Sequence, residues 1–166
     1  EPTALSIARK LRKYTRMIQG HLDALEAILV LHRLSTHPAG VGRAQYHLID
    51  PGLIGVLGGS RDQQVKSQIL TELLATSEAL GLGRPQLYTY RNEKTSRVPI
   101  VAQWMGNKVK PLAIQFYEGE TLPRAERDAL LAFSLRAKTK GLRLLALTHM
   151  QSGYTEQGIE HLSLRS

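Results

Sequence analysis

The sequence predicts an α/β protein in which an N-terminal helical segment and β-hairpin precede a mixed α/β sheet. Three observations carry that expectation. Residues 5–31 place Ile7, Leu11, Tyr14, Ile18, Leu22, Leu25 and Leu29 at three- and four-residue steps, the period of a helix with one apolar face. The runs Val98-Pro99-Ile100-Val101-Ala102 and Leu112-Ala113-Ile114-Gln115-Phe116 are strand-like and are joined through the turn Gly106-Asn107. Residues 142–148 form a near-continuous apolar run directly after a helical stretch. That is the pattern of a strand buried on both faces and paired in parallel through a crossover.

Each element has a local reason. Ser6 is expected to cap a short helix over 6–13 and Thr15 a longer one over 16–27, since a hydroxyl at that position accepts from a free helix N–H. Residues 28–34 and 44–49 read as two strands around the loop Ser35-Thr36-His37-Pro38-Ala39-Gly40. Helix, helix, hairpin is the outline of a winged helix-turn-helix, assigned to residues 1–50. Asp50-Pro51-Gly52 opens a second unit over 51–166. Within it, 53–57 is a short apolar helix or strand ended by Gly58-Gly59. Residues 63–80 are an amphipathic helix with Val65, Ile69, Leu73, Leu74 and Leu80 inward, stopped by Gly81-Leu82-Gly83. Strands follow over 86–91, 98–104 and 109–117, with a polar turn over 92–97. A helix over 123–139 has Pro123 near its first turn and Gly141 at its end, and 158–164 supplies an edge strand.

Composition sets bounds on function. The 166 residues are 42% apolar, enough to bury a core in one ordinary domain or two small ones. The absence of cysteine excludes disulfides and thiolate metal sites and fits a reducing compartment, so a cytoplasmic location is expected. The longest apolar stretch, near 27–31, is far short of the ~20 residues of a membrane span, and no signal peptide is visible. The chain starts at Glu1 instead of Met, as expected of a processed product or an excised domain. A net charge of +8 with pI ≈ 10.0 favours a polyanionic partner, DNA first and RNA second.

The order helix, three strands, helix, strand is the core of the restriction-endonuclease-like fold. The chain also resembles a specific family: the C-terminal region of bacterial and archaeal AAA+ ATPases, in which a winged helix is followed by a nuclease-like module. The resemblance covers about residues 5–148. It rests on the helix 14–27 leading into Ile28-Leu29-Val30-Leu31, and on Tyr46-His47-Leu48-Ile49-Asp50-Pro51-Gly52-Leu53, the most specific piece. Ile69-Leu70-Thr71-Glu72-Leu73 and Leu87-Tyr88-Thr89-Tyr90-Arg91 add to it by their order. It implies a nuclease-like fold next to an ATPase module, a second candidate partner.

The departures from the family carry chemical content. Its hairpin commonly reads Glu-Val-Asp-Phe-Val and then Ile-Glu-Val-Lys; here the matching residues are Arg97-Val98-Pro99-Ile100-Val101 and Ile114-Gln115-Phe116-Tyr117. Metal-assisted phosphodiester cleavage needs converging carboxylates and commonly a cation to position water. Pro99 offers no ligand atom, Gln115 one neutral oxygen, and Tyr117 neither carboxylate nor cation, while Glu72 matches the family's helix acid. No metal or other cofactor is therefore expected. The competing enzymatic reading is a Mg²⁺-dependent nuclease using Glu72 with relocated acids at Glu93, Glu118 or Glu120. Against a ligand role, Glu72 reads more simply as a carboxylate that stabilises its helix.

The other charged feature is Arg9, Lys10, Arg12, Lys13 and Arg16, gathered at the start of the recognition helix of the winged-helix outline. Lys and Arg at a helix end hold phosphates, so these five are the candidate nucleic-acid contacts. A solvated face, or a surface docking an acidic protein or RNA in a larger assembly, uses the same residues. No Gly-x-x-x-x-Gly-Lys-Ser/Thr is present, since Lys66-Ser67 lies too far from Gly59, which excludes a P-loop ATPase engine in this segment. His21, His32, His37, His47, His149 and His161 have no paired metal spacing, and Ser60 has no identifiable base. Tyr88 and Tyr90 share a strand face and read as core or cross-strand packing, and Trp104 and Phe116 read as core.

Overall fold

The structure, a computed structural model, describes residues 3–92, 96–106, 109–148 and 153–163. Two helices, α1 (Ala4–Leu11) and α2 (Thr15–Ala27), lead into the hairpin β1 (Leu31–Thr36) and β2 (Gln45–Leu48). A short helix α3 (Pro51–Val56) and the long α4 (Arg61–Ala79) follow. Next come β3 (Gln86–Arg91), β4 (Arg97–Gln103), β5 (Leu112–Tyr117), α5 (Arg124–Ala137) and β6 (Arg143–Thr148). The chain closes with β7 (Tyr154–Glu156) and β8 (Ile159–Ser163). The eight strands form one mixed sheet in the order β2-β1-β3-β4-β5-β6-β8-β7.

Helix boundaries follow capping chemistry, with shifts from the expected positions. α1 starts at Thr3, not Ser6: the Thr3 hydroxyl accepts from the Ser6 N–H, and Ser6 returns a bond to Thr3 in a capping box. Tyr14, with no side-chain bond, occupies the N-cap of α2, and Thr15 lies inside the helix. Asp50 caps α3 by accepting from the Gly52 and Leu53 N–H groups, with Pro51 in the first turn. Ser60 and Gln63 form a second capping box at the head of α4. α5 stops at Lys138 in the left-handed region, before Gly141. Leu80, expected inward, is the α4 C-cap and stays 67% exposed.

The sheet separates two apolar layers, and alternation along the central strands fills both. Ala113, Leu144 and Ala146 pack with Leu130 and Phe133 of α5. Their neighbours Ile114 and Leu145 pack with Leu70 of α4 and Leu34 of β1. The β5–β6 pair is parallel, with Ile114 opposite Leu145, as the crossover through α5 dictates. β3–β4 and β4–β5 are antiparallel. A third cluster, Ala8, Ile18, Leu22, Leu31 and Tyr46, seats α1 and α2 on the hairpin.

Two features escaped the expected plan. β8 is not an edge strand: it lies between β6 and the three-residue β7, pairing parallel to β6 and antiparallel to β7. The N-terminal hairpin also belongs to the main sheet, because β1 runs parallel to β3 with Ser35 opposite Tyr88 and Thr36 opposite Thr89. The sheet thus crosses the division near residue 50. α4 reinforces the junction: the Ser67 hydroxyl donates to the Ile49 carbonyl at 2.7 Å and the Thr71 hydroxyl donates to the same carbonyl at 3.1 Å. Trp104 is half-buried and donates from Nε1 to the Ser77 hydroxyl at 3.2 Å, and Phe116 is half-buried too, so neither is a full core residue.

Phe133 is fully buried, with its ring 4.7 Å from that of Tyr90 and 5.0 Å from that of His37. Truncation to Ala leaves a cavity between α5 and the sheet. Chemical denaturation of Phe133→Ala is expected to show a loss of about 3–5 kcal/mol, against little change for the exposed Leu135→Ala.

Candidate functional site

Proline in a central strand needs an irregularity, because it has no N–H for the ladder. β4 supplies one. Its pairing with β3 shifts between Tyr88 opposite Val101 and Tyr90 opposite Val98, so Pro99 and Ile100 together face Thr89. The Thr89 hydroxyl donates to the Val98 carbonyl at 3.3 Å across this bulge. Val98 and Val101 consequently share the α5 side, while Ile100 turns to the α4 side.

The bulge opens onto a cavity of about 640 Å³ where Pro99, Gln115 and Tyr117 come together. Helix α4 contributes Asp62 and Lys66, one turn apart on the same face, and α5 contributes Glu126. Lys66 is buried, and His47 and Arg97 add further cationic or neutral donors to the wall. Gln115 is buried and donates from Nε2 to Glu126 Oε2. That bond fixes the amide orientation, because a carboxylate requires the nitrogen side. Oε1 of Gln115 has no partner among the described residues, which in a buried setting costs on the order of 1–3 kcal/mol.

Glu72 lies outside this site. It sits six residues past Lys66, and at ~100° per residue that turns it onto another face of α4, where it is exposed. Asp62 is the carboxylate that α4 delivers to the cavity. Of the relocated acids, Glu118 lines the cavity and pairs with Arg61 at 3.2 Å, Glu120 is exposed, and Glu93 falls outside the described residues. Asn107 and His149 also fall outside them. Asp62, Lys66 and Glu126 had no motif to mark them; the one available signal was a Lys placed among the inward apolar residues of a helix.

These residues do not fit a divalent metal. Pro99 has no side-chain ligand atom, Gln115 offers one neutral oxygen, Glu126 is engaged by the Gln115 amide, and Glu118 is held by Arg61. Among the described residues, no three His, Asp or Glu side chains group as a metal site.

The basic cluster spans the junction of two helices. Arg9 and Lys10 occupy the last turn of α1, where cations complement the helix's negative end. Arg12 caps α1 in the left-handed region with φ 53°, its N–H donating back to the Ala8 and Arg9 carbonyls. Lys13 lies between the helices, and Arg16 is in the first turn of α2, which contains no acid. All five are exposed, and none forms an ion pair among the described residues. Leu11 and Tyr14 between them and Met17 just beyond are exposed, Tyr14 at 86%.

No protein-family model, curated protein or solved structure matches the chain.

Two substitutions probe this chemistry. Gln115→Glu sets a carboxylate against Glu126, and mutual repulsion raises the folded-state pKa of the pair. Stability is then present at low pH and lost as pH rises, so thermal melts are expected to show a larger deficit from wild type at pH 7 than at pH 5. His32 is buried, its Nε2 has no partner among the described residues, and desolvation followed by the charge of Arg84 lowers its pKa to about 4. An unfolded histidine titrates near 6.5 and takes up a proton first. His32 therefore contributes stability that is full above about pH 6.5 and lost as pH falls towards 4. Melts between pH 7 and 4.5 are expected to fall less steeply for His32→Leu than for wild type.

Proposed function

We propose that this chain is a non-catalytic nucleic-acid-binding module, with DNA as its first ligand, in an AAA+ ATPase-like protein. In this reading an N-terminal winged helix packs on a nuclease-like sheet that has lost its metal chemistry. The observation that carries it is the pairing of two facts. Pro99, Gln115 and Tyr117 share one cavity, at the positions where the hairpin of the family that the sequence resembles carries acids and a lysine, and five exposed cations at the α1–α2 junction have no acidic partner among the described residues. The sheet supports the fold side of the reading, because α4, β3, β4, β5, α5 and β6 follow in the expected order with a parallel β5–β6 pair.

Arg9, Lys10, Arg12, Lys13 and Arg16 would contact phosphates, with the α2 N-terminus adding partial positive charge. A second reading is favoured by the apolar residues among them. Leu11, Tyr14 and Met17 are exposed within the same patch, a composition suited to docking an acidic, partly apolar protein surface such as an ATPase module. RNA could occupy the cationic patch in a larger assembly. A Mg²⁺-dependent nuclease with relocated acids is the enzymatic alternative, with Asp62 and Glu126 as its nearest carboxylates.

Fluorescence anisotropy with short duplex DNA across a salt series tests the proposal. Affinity is expected to fall steeply with salt. Replacing the five cations with Ala should weaken binding and flatten the slope by about 0.9 for each phosphate that is no longer neutralised. No cleavage is expected in a parallel arm with Mn²⁺. Cleavage would favour the enzymatic alternative, and absence of binding at low salt would move the patch to a protein or RNA partner.

A further inference from the structure

A second cavity, of about 490 Å³, adjoins the first and shares Arg97 and Glu126 with it. We propose that it binds a small phosphate-bearing ligand with hydroxyl groups on its body, of the size of a sugar phosphate or mononucleotide.

Three arginines converge here: Arg43 from the β1–β2 loop, Arg91 at the end of β3 and Arg97 at the start of β4. Arg91 and Arg97 are direct cross-strand partners, so neighbouring strands bring two guanidinium groups to the same cavity wall. Arg43 and Arg91 have no side-chain partner among the described residues. Glu126 is the single carboxylate in the wall, and it accepts from Gln115. Guanidinium groups match phosphate oxygens in bidentate fashion, so the arrangement selects a phosphate over a lone carboxylate.

The neutral part of the wall requires more than an anion. Thr36 Oγ1 and Gln45 Oε1 are buried with no partner among the described residues. The Thr36 hydroxyl can donate to a phosphate oxygen. Whichever way the Gln45 amide is turned, one of its polar atoms needs a complement, which a ligand hydroxyl provides as donor or acceptor.

The cavity is also held open by backbone. The His37 N–H donates to the Thr89 carbonyl at 2.9 Å, and the Val41 N–H donates to the Arg91 carbonyl at 2.8 Å. Gly40 lies so close to β3 that a Cβ there would stand 3.0 Å from the Arg91 carbonyl oxygen. The loop carrying Arg43 is thereby clamped against the strand carrying Arg91. The volume falls in the range of small-molecule sites.

The test is a titration of the full chain with ribose 5-phosphate, AMP, inorganic phosphate and, as control, ribose, read by backbone amide shifts and by Tm. Saturable binding of the phosphate-bearing probes is expected, with shifts at Thr36 and Thr89, a rise in Tm, and no response to ribose. Arg43→Ala and Arg91→Ala are each expected to raise Kd about tenfold, and Arg91→Lys to restore part of the loss. Replacing the α1–α2 cations should leave these affinities unchanged, which separates this site from the nucleic-acid reading. A 5′-phosphorylated oligonucleotide forms a further arm: if it alone binds, the small-ligand proposal is overturned. It is equally overturned if no probe saturates by about 10 mM, or if binding persists in both Ala variants. Circular dichroism checks that the variants fold; should Arg91→Ala fail, Arg43→Ala and the wild-type shift map still decide.

Discussion

The parallel docking of β1 on β3 is the constraint from which most of this structure follows. Only Ser35–Tyr88 and Thr36–Thr89 are in register, and the loop beyond extends the contact through His37 and Val41. Without that short seam the first two helices and their hairpin would touch the rest of the chain mainly through α3, α4 and their carbonyl contacts. With it, the sheet passes unbroken from β2 to β7. The same seam fixes the loop that carries Arg43 and so determines which side chains meet above β3 and β4. Local order, sheet continuity and surface chemistry thus rest on one junction.

A second constraint is the two-sided burial of β4 and β5. Val98, Ile100, Val101 and Ala102 are all fully buried, so β4 has no solvent face along most of its length. Pro99 sits in this strand at the cost of one ladder bond, and the resulting bulge redirects neighbouring side chains. The polar cavity opens at that point. Its wall mixes acids and bases, with Asp62, Glu118 and Glu126 set among Lys66 and Arg97 and Gln115 donating to Glu126, in contrast to the convergent negative charge that a divalent cation requires.

Much of the fold was legible because its signals were local. Periodicity marked α1, α2 and α4, Pro123 and Gly141 bracketed α5, the apolar run over 142–148 marked a two-sided strand, and the crossover rule its parallel partner. Cap residues were legible only in kind: Thr3 competed with Ser6 and won because its hydroxyl reaches the Ser6 N–H while Ser6 completes the box. β7 has three residues and no periodicity to read, and the inner position of β8 depends on it. Leu80 matched the apolar period but fell on the terminal cap, where the chain turns away from the core. The hairpin residues Pro99, Gln115 and Tyr117 were placed together by sequence position, and they do share one cavity. Glu72 was not legible in the same way, since a helix rotates a side chain through about 100° per residue and a small offset changes the face. The arginine cavity was invisible for a different reason. Its members lie on a loop and two strand ends, and only the register of β3 against β4 and the docking of β1 bring them together.

The sheet ends in two short antiparallel strands, β2 with four residues and β7 with three, each folded back on a neighbour that is otherwise paired in parallel. An exposed edge offers a row of free N–H and C=O groups onto which another chain can add a strand. Here both outermost edges are too brief to template a long match, and Glu156 on β7 is tied to Arg127 at 3.6 Å, placing charge at the rim. The longer strands β1 and β8, five or six residues each, are thereby withdrawn from the margin. The two small strands act as end-stops. Between them they leave little edge onto which another chain could extend the sheet.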